Sequence, residues 1–101
     1  MADKFYTHAL WRVKPGREGE FIEAWKALGA IFAKLPGSGQ GTLIQSVSDP
    51  ALFYSFGPWN SLEAIEAMRS DPASQNGIHK LRDLCDEAMP GTYRVAGEVG
   101  M

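Results

Sequence analysis

The segment that most constrains the fold covers residues 53–72, where a strand pattern is followed by a turn and by a helix with a clear start. The aromatic and small residues before Gly57 are typical of a pleated, buried strand, and Gly57-Pro58 predicts the break that ends it. Ser61 is a good N-cap, because its hydroxyl can accept a hydrogen bond from the first turn of the helix. Trp59 lies at the junction, where a large ring either closes a core or lines a pocket. The sequence leaves both roles open.

Two patterns before this segment predict a strand and a long helix. Phe5–Val13 alternates between an apolar face and a mixed face, and it is rich in aromatic and β-branched residues, as strands are. Residues 17–35 carry apolar side chains at intervals of four, three, four and three, which predicts one helix with a single apolar stripe. That stripe consists of Phe21, Trp25, Leu28, Phe32 and Leu35. Gly29 costs about 1 kcal/mol relative to Ala inside a helix, and we expect close approach to the sheet to explain it.

The middle of the chain predicts a hairpin and a second helix. Residues 42–47 and 52–56 are the expected second and third strands, and a short turn between them makes an antiparallel pair. The helix capped by Ser61 is expected to end near residues 70–72, because Pro72 disfavours a helical residue before it. This part of the chain therefore adds two strands and one helix.

The last third of the chain predicts a divided helix and a closing strand. Asp71 is expected to cap a helix that begins at Pro72, and Asn76-Gly77 is expected to interrupt it. A second helical piece should end near residues 89–91, where a proline and a glycine follow a methionine. Residues 92–99 alternate as a strand does and are the expected fourth strand.

The resulting order βαββαβ predicts an α+β, ferredoxin-like fold with a four-stranded antiparallel sheet and its helices on one face. Tyr54 and Phe56 lie opposite Phe53 across the pleat of the third strand, so apolar groups occupy both faces of the sheet. An exposed apolar patch on a small protein marks an interface, and closed two-fold dimers are the commonest assemblies. We therefore predict a homodimer.

Composition narrows the class of protein. The chain has 101 residues, 45% apolar and 22% charged, as expected for one soluble globular domain over residues 1–101. A net charge of −2 without a run of Lys or Arg excludes the usual nucleic-acid surfaces. No apolar run is long enough for a membrane span or a signal peptide, so a membrane partner is not expected. Cys85 is the only cysteine, and no Cys/His cluster has zinc spacing, so we expect a cytoplasmic protein without a metal.

Three motifs together resemble the antibiotic biosynthesis monooxygenase superfamily. They are WRVKPGRE at residues 11–18, GPWNSLEA at 57–64 and RSDP at 69–72, and the resemblance covers nearly the whole chain. It implies a dimeric α+β barrel, in agreement with the dimer predicted from the sheet. The superfamily contains cofactor-free oxygenases of polycyclic aromatic phenols and quinols, haem-degrading enzymes and many proteins without an established activity.

The oxygenase branch implies a pocket between the sheet and the helices. In those enzymes an Asn on the third strand, the Trp of the turn and a Tyr on the second helix contribute polar groups. The matching residues here are Ser55, Trp59 and Ile65, so only the tryptophan is retained. The resemblance implies that the Trp59 indole N–H can donate to a substrate carbonyl or phenolate.

The haem-degrading branch is a weaker match. Its Asn on the first strand and its Trp on the second helix correspond to Ala9 and Ala67. His79 lies close to the position of the axial histidine, two residues off the expected spacing, so ligation by His79 stays an alternative.

Three hypotheses follow from the sequence. The first is a cofactor-independent monooxygenase that acts on an aromatic, polyphenolic or quinone-like molecule and O2. The second is a non-catalytic dimer that binds a small apolar ligand in the same pocket, and the third is a haem protein. The candidate catalytic residues are Trp59, Ser55 and His79, and the candidate substrate-binding residues are Thr7, Trp11, Phe53 and Ile65. Trp59 and Trp11 also have a plain structural interpretation as core aromatics, and His79 has one as a solvated helix residue.

Overall fold

The computed structural model describes residues 4–100, and this part of the chain contains four strands and three helices. The elements are β1 (Phe5–Val13), α1 (Glu18–Phe32), β2 (Thr42–Gln45), β3 (Leu52–Trp59), α2 (Leu62–Ser70), α3 (Pro72–Asp83) and β4 (Cys85–Arg94). The prediction of one domain over residues 1–101 extends past this range and stays a prediction. Among the described residues, no helix combines the length and apolar character needed to cross a bilayer.

The four strands form one antiparallel sheet in the order β2-β3-β1-β4. Trp11 in β1 lies beside Phe53 in β3 and beside Ala88 in β4, which places these three residues on one face. Every second residue of β3 is buried from Phe53 to Trp59, as expected for a strand covered on one side. The predicted α+β, ferredoxin-like fold is confirmed.

The main core lies between that covered face and the helices α1 and α3. Its buried members are Ala9, Trp11, Val13, Phe21, Leu28, Phe53, Leu81 and Leu84. Phe21 packs against both Trp11 and Phe53, with ring centroids 5.6 and 5.1 Å apart. A smaller cluster of Trp59, Ile65 and Met68 fixes α2 at one end of the sheet. The helix caps at Ser61 and Asp71 are both present, each side chain accepting a hydrogen bond from a backbone N–H.

The third strand does not stop at Gly57-Pro58, as the sequence predicted, but runs on to Trp59. The Pro58 carbonyl accepts a hydrogen bond from the Gly39 N–H at 2.8 Å. In an antiparallel strand, the N–H and the C=O of one residue point to the same side. The N–H that Pro58 lacks would therefore point toward Gly39, which precedes β2 in the chain. The missing N–H therefore removes no bond to β1 or β2, and the strand tolerates proline.

The predicted break of the helix at Asn76-Gly77 is also wrong, since α3 is continuous. A Cβ at Gly77 would lie 2.6 Å from Leu28 Cδ1, a distance that real Cβ atoms do not reach. Gly77 therefore lets α3 approach α1 closely. The close approach to the sheet that was expected to explain Gly29 is not found, because a Cβ at Gly29 would meet no atom within 4 Å.

The fourth strand begins earlier than predicted. It occupies Cys85–Arg94 in place of residues 92–99, and no second helical piece ends near residues 89–91. Among the strands of residues 4–100, β4 is an edge strand that pairs only with β1, so Pro90 in its middle is tolerated there. The apolar residues of this short segment fit a helical spacing as well as a strand spacing, which explains why a helix was predicted here.

Two other boundaries are shorter than predicted. α1 ends at Phe32, three residues before the predicted end at residue 35. β2 ends at Gln45, and Val47 is fully exposed in the turn that follows. Gly37 takes a positive φ of 88°, which a glycine adopts without steric cost, at the bend after α1.

Candidate functional site

A cleft lies between the covered face of the sheet and the helices, and it consists of two adjoining cavities. The first cavity has a volume of about 410 Å³ and extends toward α3 and β4, and the second has about 320 Å³ and extends toward the segment 38–41. Five residues line both cavities and form what we call the neck: Thr7, Trp25, Leu28, Phe32 and Ser55. The neck joins the two cavities into one apolar cleft with two hydroxyl groups at its centre.

The two hydroxyl groups come from neighbouring strands. β1 carries Thr7 and β3 carries Ser55, and both side chains point to the covered face, as the alternation of the strands requires. The register pairs Ser55 with Ala9 and Thr7 with Gly57, so the two hydroxyl-bearing residues are diagonal neighbours. Their common position in the neck follows directly from the sheet register.

Each hydroxyl accepts a hydrogen bond from a tryptophan. Trp11 Nε1 donates to Ser55 Oγ at 2.9 Å in a buried contact, and Trp59 Nε1 donates to Thr7 Oγ1 at 3.2 Å. A hydroxyl that accepts in this way still has its own proton to donate. Within residues 4–100, neither hydroxyl donates to another protein group. The neck therefore offers two O–H donors whose oxygens are held by indole groups.

The indole N–H of Trp59 is engaged inside the protein. The resemblance implied that this N–H can donate to a substrate, and in the structure the ring is 4% exposed and its N–H donates to Thr7. Trp59 does line the second cavity, and Phe32 packs edge-on against it with ring centroids 5.7 Å apart. Trp59 therefore supports the Thr7 hydroxyl through this hydrogen bond.

The structure separates the remaining candidates into two groups. Trp11 and His79 line the first cavity together with Ser55 and Thr7. Phe53 and Ile65 are 1% and 2% exposed and line neither cavity, since Phe53 packs in the main core and Ile65 packs beside Trp59. These two residues lie behind the cleft, and their assignment as substrate-binding residues stays a prediction.

His79 lies at an outer edge of the first cavity. Its side chain is 78% exposed, and Nε2 is 3.9 Å from Asp83 Oδ1 one turn further along α3. Four residues of α3 line the cavity, namely Gln75, Ile78, His79 and Arg82, and α2 adds Arg69. We call the polar members Arg69, Gln75, His79 and Arg82 the α3 rim.

The sequence interpretation missed the neck residues from α1 and most of the α3 rim. Trp25, Leu28 and Phe32 belong to the predicted apolar stripe, but a stripe does not reveal whether it faces a filled core or a cleft. The α3 residues follow a spacing of three, one and three, which places them on one helical face. This spacing is visible in the sequence, but the wrongly predicted break at Asn76-Gly77 divided it between two helical pieces.

The side chains of the described residues do not fit a bound metal ion or a haem. Among residues 4–100, no three His, Cys, Asp or Glu side chains come together in a way that would hold a metal ion. His79, the candidate haem ligand, is largely in solvent and beside Asp83, and the other two matching positions are alanines. These residues do not fit a buried axial ligation site.

Cys85 lies outside the cleft. It packs at the edge of the main core, and burial, followed by the nearby Asp86 carboxylate, raises the pKa of its thiol to about 11. The thiol is therefore protonated at neutral pH and is a poor nucleophile.

The fold and cleft define a ferredoxin-like α+β domain with an apolar site between its sheet and helices. The family model for antibiotic biosynthesis monooxygenases matches residues 4–80, and the chain therefore belongs to this family. The resemblance found in the three sequence motifs is confirmed. No curated protein sequence matches the chain.

Solved structures with the same fold include an oxygenase. An asparagine-to-alanine mutant of SnoaB, a cofactor-independent oxygenase from Streptomyces nogalater, is 20% identical with a TM-score of 0.91, covering 99% of this chain and 100% of SnoaB. A Nitrosomonas europaea protein, provisionally described as an antibiotic biosynthesis monooxygenase, is 18% identical with a TM-score of 0.84, covering 99% and 97% of the two chains. A conserved protein from Methanosarcina mazei is 18% identical with a TM-score of 0.83, covering 91% and 92%. At these identities the likeness establishes the shared fold.

Proposed function

We propose that the protein is a cofactor-independent monooxygenase that oxidises an aromatic, polyphenolic or quinone-like small molecule with O2 in the cleft. Membership of the antibiotic biosynthesis monooxygenase family supports the reaction class. The fold shared with SnoaB, which is described as a cofactor-independent oxygenase, supports a mechanism without a bound metal or flavin.

The observation that carries the proposal is the pair of hydroxyl donors in the neck. Thr7 and Ser55 present O–H groups inside an apolar cleft, and each oxygen is held by an indole N–H. Donors fixed in a water-poor site stabilise a developing oxyanion more than donors in water do. Chains of hydrogen bonds also polarise one another, so each indole strengthens the hydroxyl that it supports. The pair is suited to a phenolate or enolate oxygen.

The proposed reaction balances without a further reductant, as an anthrone illustrates. Loss of a ring-CH2 proton gives an enolate, whose oxygen the two hydroxyls stabilise. One electron passes from the enolate to O2, and the resulting radical pair combines at carbon to give a peroxide. The peroxide takes up a proton. Loss of the remaining C–H proton from the same carbon then breaks the O–O bond, so that the outer oxygen leaves as water and a carbonyl group remains. One oxygen atom of O2 enters the product and the other leaves as water.

His79 is the proposed proton acceptor. It lines the first cavity, and its exposed side chain can pass a proton to solvent. Trp25, Leu28 and Phe32 are proposed to hold the aromatic rings and to keep water from the radical pair.

The test is oxygen uptake by metal-free and flavin-free protein against a panel of hydroquinones and anthrones, with Trp59→Phe beside the wild type. Phe keeps the ring volume but removes the N–H that supports Thr7. We expect uptake by the variant to fall by about three- to tenfold, consistent with a supporting bond. Equal uptake by the two proteins would remove Trp59 from the mechanism.

A second candidate function is ligand binding without reaction. It is favoured by the absence of Asp and Glu from the described residues that line the two cavities. Of the two histidines among these residues, His8 packs its ring on the open face, so only His79 at the edge can act as a base in the cleft. Tight binding of a hydroquinone that is recovered intact after aerobic incubation would select this function. Recovery of the corresponding quinone at a rate above that of buffer would exclude it.

We also propose that two copies pair through the open face of the sheet. Ile44, Met89 and Tyr93 are 48%, 57% and 55% exposed there. The His8 ring lies between the rings of Tyr54 and Tyr93, with centroids 5.5 and 5.6 Å apart. A partner would cover this aromatic cluster. Light scattering during size exclusion should give a dimer that Tyr93→Glu dissociates, while Lys34→Glu after α1 has no effect. A wild-type monomer at micromolar concentration would contradict this proposal.

A further inference from the structure

His8 lies at the centre of the open face of the sheet. β1 pairs with β3 on one side and with β4 on the other, and His8 is opposite Phe56 and Gly91 in these two ladders. Its ring packs between those of Tyr54 and Tyr93. Within residues 4–100, its nitrogens form no hydrogen bond or ion pair with another protein group. The imidazole is therefore flanked by aromatic rings and has no charged partner there.

The position of the Tyr93 ring depends on Gly91. A Cβ at Gly91 would lie 2.8 Å from Tyr93 Cε1 and 2.8 Å from its hydroxyl oxygen, distances that real Cβ atoms do not reach. The ring therefore lies over the backbone of Gly91, where only a glycine leaves room for it. From this position it meets His8 edge-on, with an interplanar angle of 85°. Glycine at this place in β4 thus lets the tyrosine complete the aromatic surroundings of His8.

One cluster of ion pairs lies on the same face as His8. Arg12 pairs with Asp49 at 3.3 Å and with Glu87 at 3.5 Å. Arg12 follows His8 by four residues, which is about 13 Å along a strand. Both carboxylates are therefore engaged at one end of the face and not beside the imidazole. The titratable groups that share the centre of the face with His8 are three phenols, which carry no charge between pH 5 and 8: Tyr6, Tyr54 and Tyr93.

The other charged groups at this end of β1 also have partners. Lys4, four residues before His8, pairs with Glu98 at 3.6 Å. Arg94 borders the same shallow cavity as His8, but its guanidinium lies over the ring of Phe5, 5.7 Å from the centroid. The Phe5 ring packs against the small core cluster at Trp59. Protonation of His8 would therefore place a charge at the centre of the face without a carboxylate beside it.

We propose that two copies pair through the open face only while His8 is uncharged, so that the dimer dissociates as the pH falls. This control rests on the pairing proposed above. A face whose centre is neutral suits a second copy, which presents the same neutral surface across a two-fold axis. Covering a neutral imidazole costs little, whereas covering an imidazolium away from any carboxylate costs its hydration. Association therefore releases protons, and it is strongest above about pH 6.5 and weakens progressively below it.

The test is sedimentation equilibrium at pH 7.5 and pH 5.5, at constant ionic strength. The wild-type dimer Kd should rise between tenfold and 100-fold at pH 5.5, because each of the two copies must lose one proton to pair. Carboxylates keep their charge at pH 5.5, so the ion pairs of Arg12 are retained at both pH values. Circular dichroism at each pH confirms that the chain is folded.

The chain contains two histidines, which provides a matched control. His8→Phe keeps a ring at this position but cannot take up a proton, so its Kd should change less than threefold between the two pH values. His8→Gln repeats the test with an uncharged polar side chain and should also be insensitive to pH. His79→Gln, on α3 and away from the open face, should keep the wild-type response.

Two results would overturn the inference. They are a wild-type Kd at pH 5.5 within tenfold of its value at pH 7.5, and a full wild-type response in both His8→Phe and His8→Gln. A wild-type monomer at pH 7.5 would reject the pairing itself and the pH control with it. A dimer that is equally tight at both pH values would keep the pairing and reject only the control by His8.

Discussion

The two faces of the sheet are built from the same strands but carry different kinds of groups. On the covered face, Phe53 and Ser55 of β3 are buried, and the hydroxyl of Ser55 is paired with an indole. On the open face, their neighbours Tyr54 and Phe56 are only partly buried. The covered face thus combines a packed core with a few fixed polar groups, which is what a reaction site requires. The open face offers adaptable aromatic surface, which suits association.

The largest expected difference between the faces is in stability. Phe53→Ala should lower the free energy of unfolding by about 3–5 kcal/mol, because it leaves a cavity in the main core. Tyr54→Ala, one residue away on the open face, should cost about 1 kcal/mol, because its ring is only partly buried in one copy of the chain. Urea unfolding at low protein concentration measures both, and equal losses would contradict the assignment of the two faces.

Ser55→Ala tests the polar part of the covered face. Removing the hydroxyl leaves the buried Trp11 N–H without an acceptor, which should cost about 1–3 kcal/mol. Ser55→Thr keeps an acceptor oxygen and serves as the control, with a smaller loss expected. Thermal unfolding followed by the near-ultraviolet signal of tryptophan measures the effect. A stability of Ser55→Ala equal to wild type would show that this hydrogen bond is absent.

The two helical glycines beneath the covered face should respond with opposite signs. Gly29→Ala gains helix propensity without a clash and should stabilise the protein by about 1 kcal/mol, or roughly 4–8 °C in Tm. Gly77→Ala gains the same propensity but forces Leu28 to move, and we expect a net loss of about 1 kcal/mol. Differential scanning calorimetry compares the pair. A gain at both positions would mean that α1 and α3 are not in close contact at Gly77.

The smallest expected effect concerns the thiol at the edge of the covered face. Burial raises the pKa of Cys85 to about 11, so at pH 8 only about one thiol in a thousand is ionised. Alkylation by iodoacetamide should therefore be slow at pH 8 and accelerate as the pH rises toward 11. Unfolded protein in urea is the control and should react much faster at pH 8. Equal rates in the folded and unfolded states would contradict a buried thiol.

Much of the fold could be predicted from the sequence, because its regular patterns are strong. The alternation of β1, the apolar stripe of α1 and the caps at Ser61 and Asp71 are local signals that tertiary contacts reinforce. The errors arose where glycine or proline has a tertiary role. Pro58 and Pro90 are tolerated because of their places in the sheet, and neither place is visible in a single sequence.

The candidate site was only partly predictable for a related reason. Ser55, Thr7 and Trp11 were selected by the resemblance and by the strand faces, and they do line the cleft. The pairing of Trp59 with Thr7 depends on the register of β1 against β3, which the sequence does not specify. The sequence therefore indicated the face that carries the site but not which polar groups on it remain available to a ligand.

Oxygen uptake with 1,8-dihydroxyanthrone, by metal-free and flavin-free protein, tests most directly whether the covered face carries the reaction. The wild type should consume O2 faster than buffer and form the quinone, with one oxygen atom of ¹⁸O2 in the product. Thr7→Val, which removes a donor in the neck, should lower the rate at least tenfold. Tyr93→Phe on the open face should stay within twofold of wild type. A wild-type rate equal to that of buffer, or equal rates in Thr7→Val and wild type, would contradict the account.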